Sequence, residues 1–223
     1  MSVTARVDGI DPSAAVFASR LATDRWFCWE QPDREFALAA LGVVHEACSR
    51  GTSRFEDVAR ECLGVETVAD EPPGLPAGAG ATWVGGFAFD PEGGSSSAWS
   101  SLAPASLVLP ELSICRSGGE TFLTLNAEVR PGDDPERKAA SMEARLTALR
   151  MDPMPFLDPH PTERVEIRSV RPPGDFERMI ARATERIRAG EMSKVVLARE
   201  VLASAGAAHD PAAVFGGMRD QFP

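Results

Sequence analysis

Residues 105–130 read ASLVLPELSICRSGGETFLTLNAEVR. Two runs rich in apolar and β-branched residues, Ala105–Arg116 and Glu120–Arg130, flank the short segment Ser117-Gly118-Gly119. Glycines between such runs are typical of a β-hairpin, because glycine adopts the positive φ angles that tight turns require. The pattern therefore predicts a pair of antiparallel strands in the middle of the chain.

A second hairpin is predicted nearer the N terminus. The aromatic strand Arg25–Glu30 is followed by Gln31-Pro32-Asp33-Arg34, which has turn chemistry, and then by the apolar run Phe36–Val44. A further strand is predicted at Thr82–Phe89, and the serine-rich stretch Gly93–Ser101 is predicted to be an exposed loop. Together these patterns indicate a mixed α+β fold with largely antiparallel sheets and flanking helices.

Helices are predicted before, between and after these strands. We expect Asp11 to cap the first helix, Thr52 or Ser53 the second, and Asp175 the fourth, because their side-chain oxygens accept hydrogen bonds from free backbone N–H groups. The first helix is predicted to begin at Asp11-Pro12. The other four are predicted to span Thr52–Leu63, Asp134–Met151, Asp175–Ala189 and Asp210–Asp220. Strands are predicted on either side of the fourth helix, at Arg164–Val170 and Lys194–Ala203.

Prolines at 153, 155, 159 and 161 mark a boundary along the chain. Proline cannot donate a backbone hydrogen bond, so this stretch is not expected to form regular structure. We expect residues 1–150 to form a hairpin-rich α+β subdomain, residues 151–162 to be a proline-rich connector, and residues 163–223 to begin a second region.

The composition narrows the classes of function. The chain has 23 basic and 33 acidic residues and a net charge of −10, which disfavours nucleic acid and anionic membrane surfaces as partners. No signal peptide or membrane-spanning stretch is recognised. We expect a soluble, cytoplasmic protein that acts on a small molecule, and a monomer.

The usual metal and cofactor motifs are not found in this sequence. The cysteines at 28, 48, 62 and 115 are widely spaced, without Cys-x-x-Cys pairs or histidines at ligand spacing, so neither a zinc site nor a disulfide framework is indicated. We expect each to be a small buried side chain. The sequence lacks a phosphate-binding loop and a dinucleotide fingerprint, so no cofactor-binding or metal-ligating residue is assigned.

Lys194 is the strongest candidate for a chemical role. The chain has 21 arginines but only two lysines, Lys138 and Lys194. A lysine that is desolvated or near other cations can lose its proton and act as a base, whereas an arginine cannot. The alternative is a lysine that opens a strand and simply reaches solvent. Lys138 lies in a predicted helix, where we expect an ordinary surface charge.

Several stretches resemble one enzyme family. They are WFCWE (residues 26–30), WVGGFAFD (83–90) with the following Trp99, LVLPEL (107–112) and FERMIARATERIRAGEMSKVVLAR (176–199). In this order they resemble the chorismate-utilising enzymes, specifically isochorismate synthase. The resemblance covers essentially the whole chain and implies the N-terminal half of the fold of anthranilate synthase component I.

The resemblance implies a role for Lys194. In isochorismate and salicylate synthases the matching lysine is the general base that activates a water for attack at C2 of chorismate. A glutamate there assists loss of the C4 hydroxyl, and Mg²⁺ holds the carboxylate. The related anthranilate and aminodeoxychorismate synthase components usually carry Gln where Lys194 stands, so the lysine favours water addition over ammonia transfer.

The family pattern also contains parts that these 223 residues lack. The Gly-Ala-Ser-Pro-Glu type motif, the Ala-Gly-Thr stretch and the glutamates that ligate Mg²⁺ are not found here. We therefore expect an N-terminal portion of an isochorismate synthase of menaquinone or siderophore synthesis, inactive by itself and with an unpaired apolar strand edge. The alternatives are a salicylate synthase, which adds pyruvate elimination, and a non-catalytic interaction module or relic.

Overall fold

Antiparallel strands form most of the chain's first part. The computed structural model describes residues 1–94, 99–155, 165–206 and 208–222. It divides into two units, Met1–Pro155 with Arg219–Pro223, and Phe156–Met218. The strands are β1 (Ser2–Val7), β2 (Trp26–Gln31), β3 (Phe36–Leu41), β4 (His45–Ser49), β5 (Ala69–Asp70), β6 (Val84–Phe87), β7 (Ala105–Leu109), β8 (Leu112–Ser117), β9 (Glu120–Asn126), β10 (Glu166–Ser169) and β11 (Val201–Ser204). The helices are α1 (Pro12–Ser19), α2 (Arg54–Gly64), α3 (Pro135–Thr147), α4 (Pro173–Arg188) and α5 (Pro211–Gln221).

A six-stranded sheet organises the first unit, in the order β2-β3-β8-β9-β1-β5. Its neighbours are antiparallel except β1 and β5, which run parallel. The β8–β9 hairpin closes at the pair Ser117 and Glu120. Gly118 and Gly119 between them have φ angles of +57° and +80°, as a tight hairpin turn requires. Both predicted hairpins are confirmed, as is the α+β class with largely antiparallel sheets.

A three-stranded antiparallel sheet, β4-β7-β6, completes the first unit. The prediction of one continuous strand over Ala105–Arg116 is wrong. These residues form two strands, β7 in this sheet and β8 in the six-stranded sheet. The break falls at Pro110, which has no N–H to donate, and the next amide, that of Glu111, bonds to the Leu41 carbonyl at 3.0 Å.

Helices α1 and α2 cover the two sheets of the first unit. Helix α1 packs against β2 and β3, and α2 packs against β4 and β7. Asp11 caps α1 as predicted, since the Ala14 amide donates to its carboxylate at 2.9 Å. The core is aliphatic and includes Ala15, Val16, Ala39, Leu41, Ala47, Val58, Leu112 and Ile114. Strands β1 and β4 lie where no strand was predicted.

The second unit contains a two-stranded antiparallel sheet, β10–β11. The predicted strand Lys194–Ala203 is wrong over residues 194–200, because only Val201–Ser204 pairs with β10. Asp175 does not cap α4 as predicted, since Pro172 occupies that position. The next residue, Pro173, is the first residue of the helix. Proline suits this position because the N–H that it lacks would have no helical partner there.

Some predicted features fall partly on residues that the structure does not describe. Residues 95–98 of the predicted loop Gly93–Ser101 lie outside the described residues, as do residues 156–162 of the predicted connector. The described part of that connector, residues 151–155, has no helix or strand. None of the described helices is long and apolar enough to cross a membrane.

Candidate functional site

Lys194 follows a well-defined helix end. Helix α4 ends at Arg188, and Gly190 adopts a φ of +77°. The Gly190 amide donates to the Ile187 carbonyl and the Glu191 amide to the Arg186 carbonyl, both at 3.0 Å. This pair of bonds is the Schellman motif, which glycine favours because a positive φ costs it little. The predicted helix end at Ala189 is therefore within one residue of the observed end, and the second bond fixes the chain at Glu191, three residues before Lys194.

The Lys194 side chain is exposed in a segment without helix or strand. Within the described residues it has no hydrogen bond or ion pair, and the structure brings no other candidate catalytic side chain to it. Lys138, by contrast, forms an ion pair with Asp133 at 3.4 Å, as expected of a surface charge. The catalytic role of Lys194 stays a prediction.

A small cavity lies beside the start of α4 in the second unit. It measures about 300 Å³ and is lined by Arg171, Phe176, Met179 and Arg199, among others. The Arg199 guanidinium lies 5.9 Å from the centroid of the Phe176 ring, within range of a cation–π contact. The lining also includes the carboxylates of Asp175 and Glu200, which balance the formal charges of the two guanidinium groups.

A larger apolar cleft lies in the first unit, on β6 and the residues that follow it. It measures about 680 Å³, and its lining includes Phe27, Phe87, Phe89, Trp99 and Leu102. The 83–90 stretch that resembles the family therefore contributes directly to this cleft. Sequence reasoning noted Phe27, Phe87, Phe89 and Trp99 in the stretches that resemble the family, but it did not predict that they line one cleft.

An ionic cluster in the first unit was not predicted from the sequence. The Arg219 guanidinium donates to Glu30 Oε2 at 2.8 Å and to Asp11 Oδ2 at 3.0 Å. The Ser13 hydroxyl donates to Glu30 Oε1 at 2.6 Å. The Asp11 cap was predicted, but no local pattern could pair it with a residue 208 positions away.

Hydrogen bonding outweighs burial at Asp11. Burial favours the neutral acid and would raise the pKa of this carboxyl, but the Ala14 amide and the Arg219 guanidinium favour the carboxylate. The net result is a pKa below the ordinary value of an aspartate. The cluster is thus a structural contact that holds residue 219 to the first unit.

The thiols do not form a reactive site. Burial raises the pKa of the Cys28 thiol to about 12 and that of Cys115 to about 11, which disfavours the reactive thiolate. All four cysteines are free, in keeping with the absence of a predicted disulfide framework. The expectation that each is buried holds for Cys115 alone, because Cys28 and Cys62 are half-buried and Cys48 is exposed on β4, facing away from the core.

The described residues do not supply a metal site. Among them, no group of three or more His, Cys, Asp or Glu side chains is placed to hold an ion. They therefore do not fit the Mg²⁺ that the resemblance implies. Of the histidines, His45 contacts Glu61 at 3.1 Å, His209 is exposed, and His160 lies outside the described residues.

Comparison with known proteins gives a consistent match along the whole chain. The family model described as chorismate binding enzyme matches residues 1–223. Isochorismate synthase MenF of Bacillus subtilis is 24% identical over 91% of this chain and 44% of its own length. The salicylate biosynthesis isochorismate synthase of Pseudomonas aeruginosa is 29% identical over 86% of this chain and 39% of its own length.

A solved structure has the same fold. MenF, the menaquinone-specific isochorismate synthase from Escherichia coli, matches with a TM-score of 0.66 at 21% identity, over 99% of this chain and 45% of that chain. The present chain therefore spans less than half the length of each of these relatives.

Proposed function

Since the chain belongs to the chorismate binding enzyme family, we propose that it is part of an isochorismate synthase, an isomerase that converts chorismate into isochorismate. The observation that carries this proposal is the match of the family model to residues 1–223. Two curated relatives, from Bacillus subtilis and Pseudomonas aeruginosa, are both named isochorismate synthases, which supports the choice within the family. The Escherichia coli structure is named menaquinone-specific and the Pseudomonas aeruginosa relative is named for salicylate biosynthesis, so our proposal leaves both a menaquinone and a salicylate or siderophore pathway open.

We assign the role of general base to Lys194. The oxygen of a water molecule forms the new bond at C2 of chorismate, the ring double bonds shift, and the hydroxyl at C4 leaves as water after taking a proton from a general acid, which in the resembling enzymes is a glutamate. The amine of Lys194 takes the proton that the attacking water gives up. An amine accepts a proton only in its neutral form, which desolvation or a nearby cation favours.

Residue 194 is the position at which the sequence favours this reaction over the other reactions of related enzymes. Lysine at 194 distinguishes the proposed water addition from ammonia transfer, for which the resembling enzymes carry Gln. The main alternative in the same family is a salicylate synthase, which eliminates pyruvate after the same first step. A non-catalytic module is the alternative from a different class.

The test uses the protein expressed from the reading frame that contains residues 1–223, incubated with chorismate and MgCl₂. Isochorismate is the expected product by liquid chromatography. We expect Lys194→Gln to lower kcat by at least about 100-fold without a change in melting temperature. The matched control, Lys138→Gln, changes the other lysine and leaves the rate unaltered.

Other outcomes of this assay would change the assignment. Undiminished turnover in Lys194→Gln would refute its role as base, and salicylate with pyruvate would assign a salicylate synthase. Failure of the unaltered protein to convert chorismate would favour a non-catalytic module. The isolated 223-residue chain is expected to be inactive, and isochorismate formed by that chain alone would contradict this expectation.

A further inference from the structure

The apolar cleft on β6 has the size and lining of a small-molecule site. Its volume of about 680 Å³ falls in the range of about 300–1,000 Å³ that drug-sized ligands occupy. Its walls include the rings of Phe27, Phe87, Phe89 and Trp99, and the Arg25 side chain is among its few polar groups. All of these residues belong to the first unit.

Two of the rings that line this cleft lie in solvent rather than in a core. Phe89 is fully exposed and Trp99 is 56% exposed. Such rings forgo the stabilisation that burial would give them, and exposed apolar patches mark sites of interaction. This surface therefore favours an apolar occupant.

A buried arginine holds the backbone beneath this surface. Arg54 is only 5% exposed, and its guanidinium donates to the carbonyls of Gly51 and Ala88 at 3.1 Å and of Phe89 at 3.4 Å. Among the described residues no carboxylate pairs with it, and its Nε has no acceptor. Burying a cation without a counter-ion is costly. We attribute this arrangement to what it fixes, which is the chain at residues 88–89 in the wall of the cleft.

Other contacts hold the aromatic walls from behind. Phe87 packs on Phe55 of α2, with the ring centroids 4.8 Å apart. A Cβ on Gly94 would lie 2.6 Å from the Cβ of Trp99, so only glycine at 94 lets Trp99 lie this close to the backbone. A site whose walls are held in place before binding loses less entropy when it is filled. These contacts therefore indicate a preformed site.

The charges at the cleft favour an uncharged ligand with a hydrogen-bond acceptor. Arg25 forms an ion pair with Glu46 at 2.6 Å, and this contact holds the pKa of the Glu46 carboxyl below its ordinary value. The guanidinium charge is therefore balanced, and the carboxylate of Asp90 in the lining disfavours an anion. The Arg25 side chain is 51% exposed. Within the described residues its other guanidinium nitrogens have no partner, so they can donate to an uncharged carbonyl oxygen.

We propose that this cleft binds an uncharged aromatic molecule, of naphthalene size or larger, whose carbonyl oxygen accepts a hydrogen bond from Arg25. The rings of Phe89 and Trp99 pack against the aromatic part of this ligand. The proposal goes beyond the proposed function, because it requires neither chorismate nor Lys194. A carboxylate such as chorismate does not fit the charges of this site.

Fluorescent probes test the size and charge of the ligand. Prodan is an uncharged naphthyl ketone whose emission shifts to the blue in apolar surroundings. It is titrated with the protein expressed from the reading frame that contains residues 1–223. We expect one saturable site per chain with a Kd below about 300 μM. N-phenylnaphthylamine is uncharged, and its sulfonate differs from it by one anionic group, so we expect the sulfonate to bind at least about 10-fold more weakly.

One pair of variants tests the aromatic wall. Phe89→Ala removes a fully exposed ring, so it should lower the affinity for prodan at least about 10-fold without a change in melting temperature. Leu63→Ala is the matched control, because Leu63 is 87% exposed on α2 and does not line the cleft. This control should leave the affinity unaltered.

A second pair of variants tests the hydrogen bond. Arg25→Leu should lower the affinity for prodan at least about 5-fold but leave the affinity for N-phenylnaphthylamine, which has no carbonyl, unaltered. Arg6→Leu removes an exposed arginine that pairs with Glu120 and should change neither affinity.

Several outcomes would overturn the proposal. They are the absence of saturable prodan binding, as would follow if another segment of the protein covered the cleft, and an affinity that is undiminished in Phe89→Ala. An equal loss of affinity in Leu63→Ala would show unspecific adsorption to exposed apolar side chains and counts against it in the same way. Tighter binding of the sulfonate than of its uncharged parent would refute the assigned charge, and unaltered prodan affinity in Arg25→Leu would refute the assigned hydrogen bond.

Discussion

Gly85 lies where β6 and β7 approach too closely for any side chain. A Cβ built on Gly85 would lie 2.1 Å from the Ser106 carbonyl oxygen, whereas one on the neighbouring Gly86 would meet no atom within 4 Å. We expect Gly85→Ala to lower the free energy of unfolding by at least about 2 kcal/mol, because backbone must move to relieve the overlap. Gly86→Ala should stay within about 1 kcal/mol of the unaltered protein.

Urea unfolding followed by tryptophan fluorescence measures this difference. All four tryptophans lie between residues 26 and 99, so the signal reports on the first unit. Equal stabilities of the two variants would show that the β6–β7 approach is looser than the structure indicates.

Arg219 should matter more than an ordinary surface arginine. Its partner Glu30 keeps only 9% of its side chain exposed, whereas the ion pair between Arg6 and Glu120 is 60% and 47% exposed. Removing Arg219 leaves Glu30 buried with a single hydroxyl donor, Ser13. We expect Arg219→Ala to cost about 2 kcal/mol and the control Arg6→Ala less than about 1 kcal/mol, by urea unfolding. A cost for Arg219→Ala no larger than that control's would contradict a structural role.

The Asp11 carboxyl makes the free energy of unfolding depend on pH in the acid range. Its pKa in the folded protein is lowered, so the unfolded chain binds the proton more readily and acid favours unfolding. The stabilisation is complete above the ordinary aspartate pKa of about 3.9 and is lost as the pH falls through the folded value. Asp11→Asn should therefore be less stable than the unaltered protein near pH 7, and the difference should narrow below about pH 4. A difference that stays constant from pH 7 down to pH 3 would exclude this linkage.

The residues at the N-terminal ends of α2 and α3 differ in how their side chains bond, although both are of types that cap helices. Asp134 caps α3, with its carboxylate accepting from the Glu136 amide at 3.0 Å and the Arg137 amide at 3.4 Å. Ser53 holds the same position before α2, but its hydroxyl donates to Asp57 at 2.8 Å instead of accepting from an amide. We expect Asp134→Ala to cost about 1 kcal/mol and Ser53→Ala less than half of that, in thermal unfolding. A larger cost for Ser53→Ala would mean that its bond to Asp57 organises the helix start.

Elements that depend on short-range signals were predictable from the sequence. The glycine turn at 118–119 and the cap at Asp11 are examples, because each rests on residues within four positions. The break at Pro110 was missed, since a proline between two apolar runs also fits an edge strand. Strand β1 was missed because its pairing with β9 joins residues more than 110 positions apart, which no local pattern reveals.

The site was less predictable than the fold. Lys194 was identified from its residue type and from the family resemblance, but the structure has no strand over residues 194–200 where one was predicted. The apolar cleft beside Trp99 and the cluster around Arg219 both arise from tertiary contacts. Side-chain chemistry can thus be read from sequence, whereas its surroundings require the long-range pairing of strands.

At the scale of the whole molecule, the two units differ in how much apolar surface they bury. The first has an aliphatic core that includes Leu41 and Ile114, each at most 1% exposed, while Ile167 on β10 is 73% exposed. Local opening costs more where buried contacts are dense. We therefore expect amides of β3 and β8 to exchange at least about 100-fold more slowly than those of β10 and β11, in the unaltered chain at neutral pH.

The same experiment contains its own control for intrinsic exchange. Rates are divided by those of unstructured peptides of the same sequence, and helix α4 in the second unit provides a further comparison. Since α4 also contributes no fully buried residue, its protection should fall with that of β10–β11 as urea is raised, while the protection of β3 and β8 persists. Loss of protection in both units at one urea concentration would instead mean that the chain unfolds as a single cooperative body.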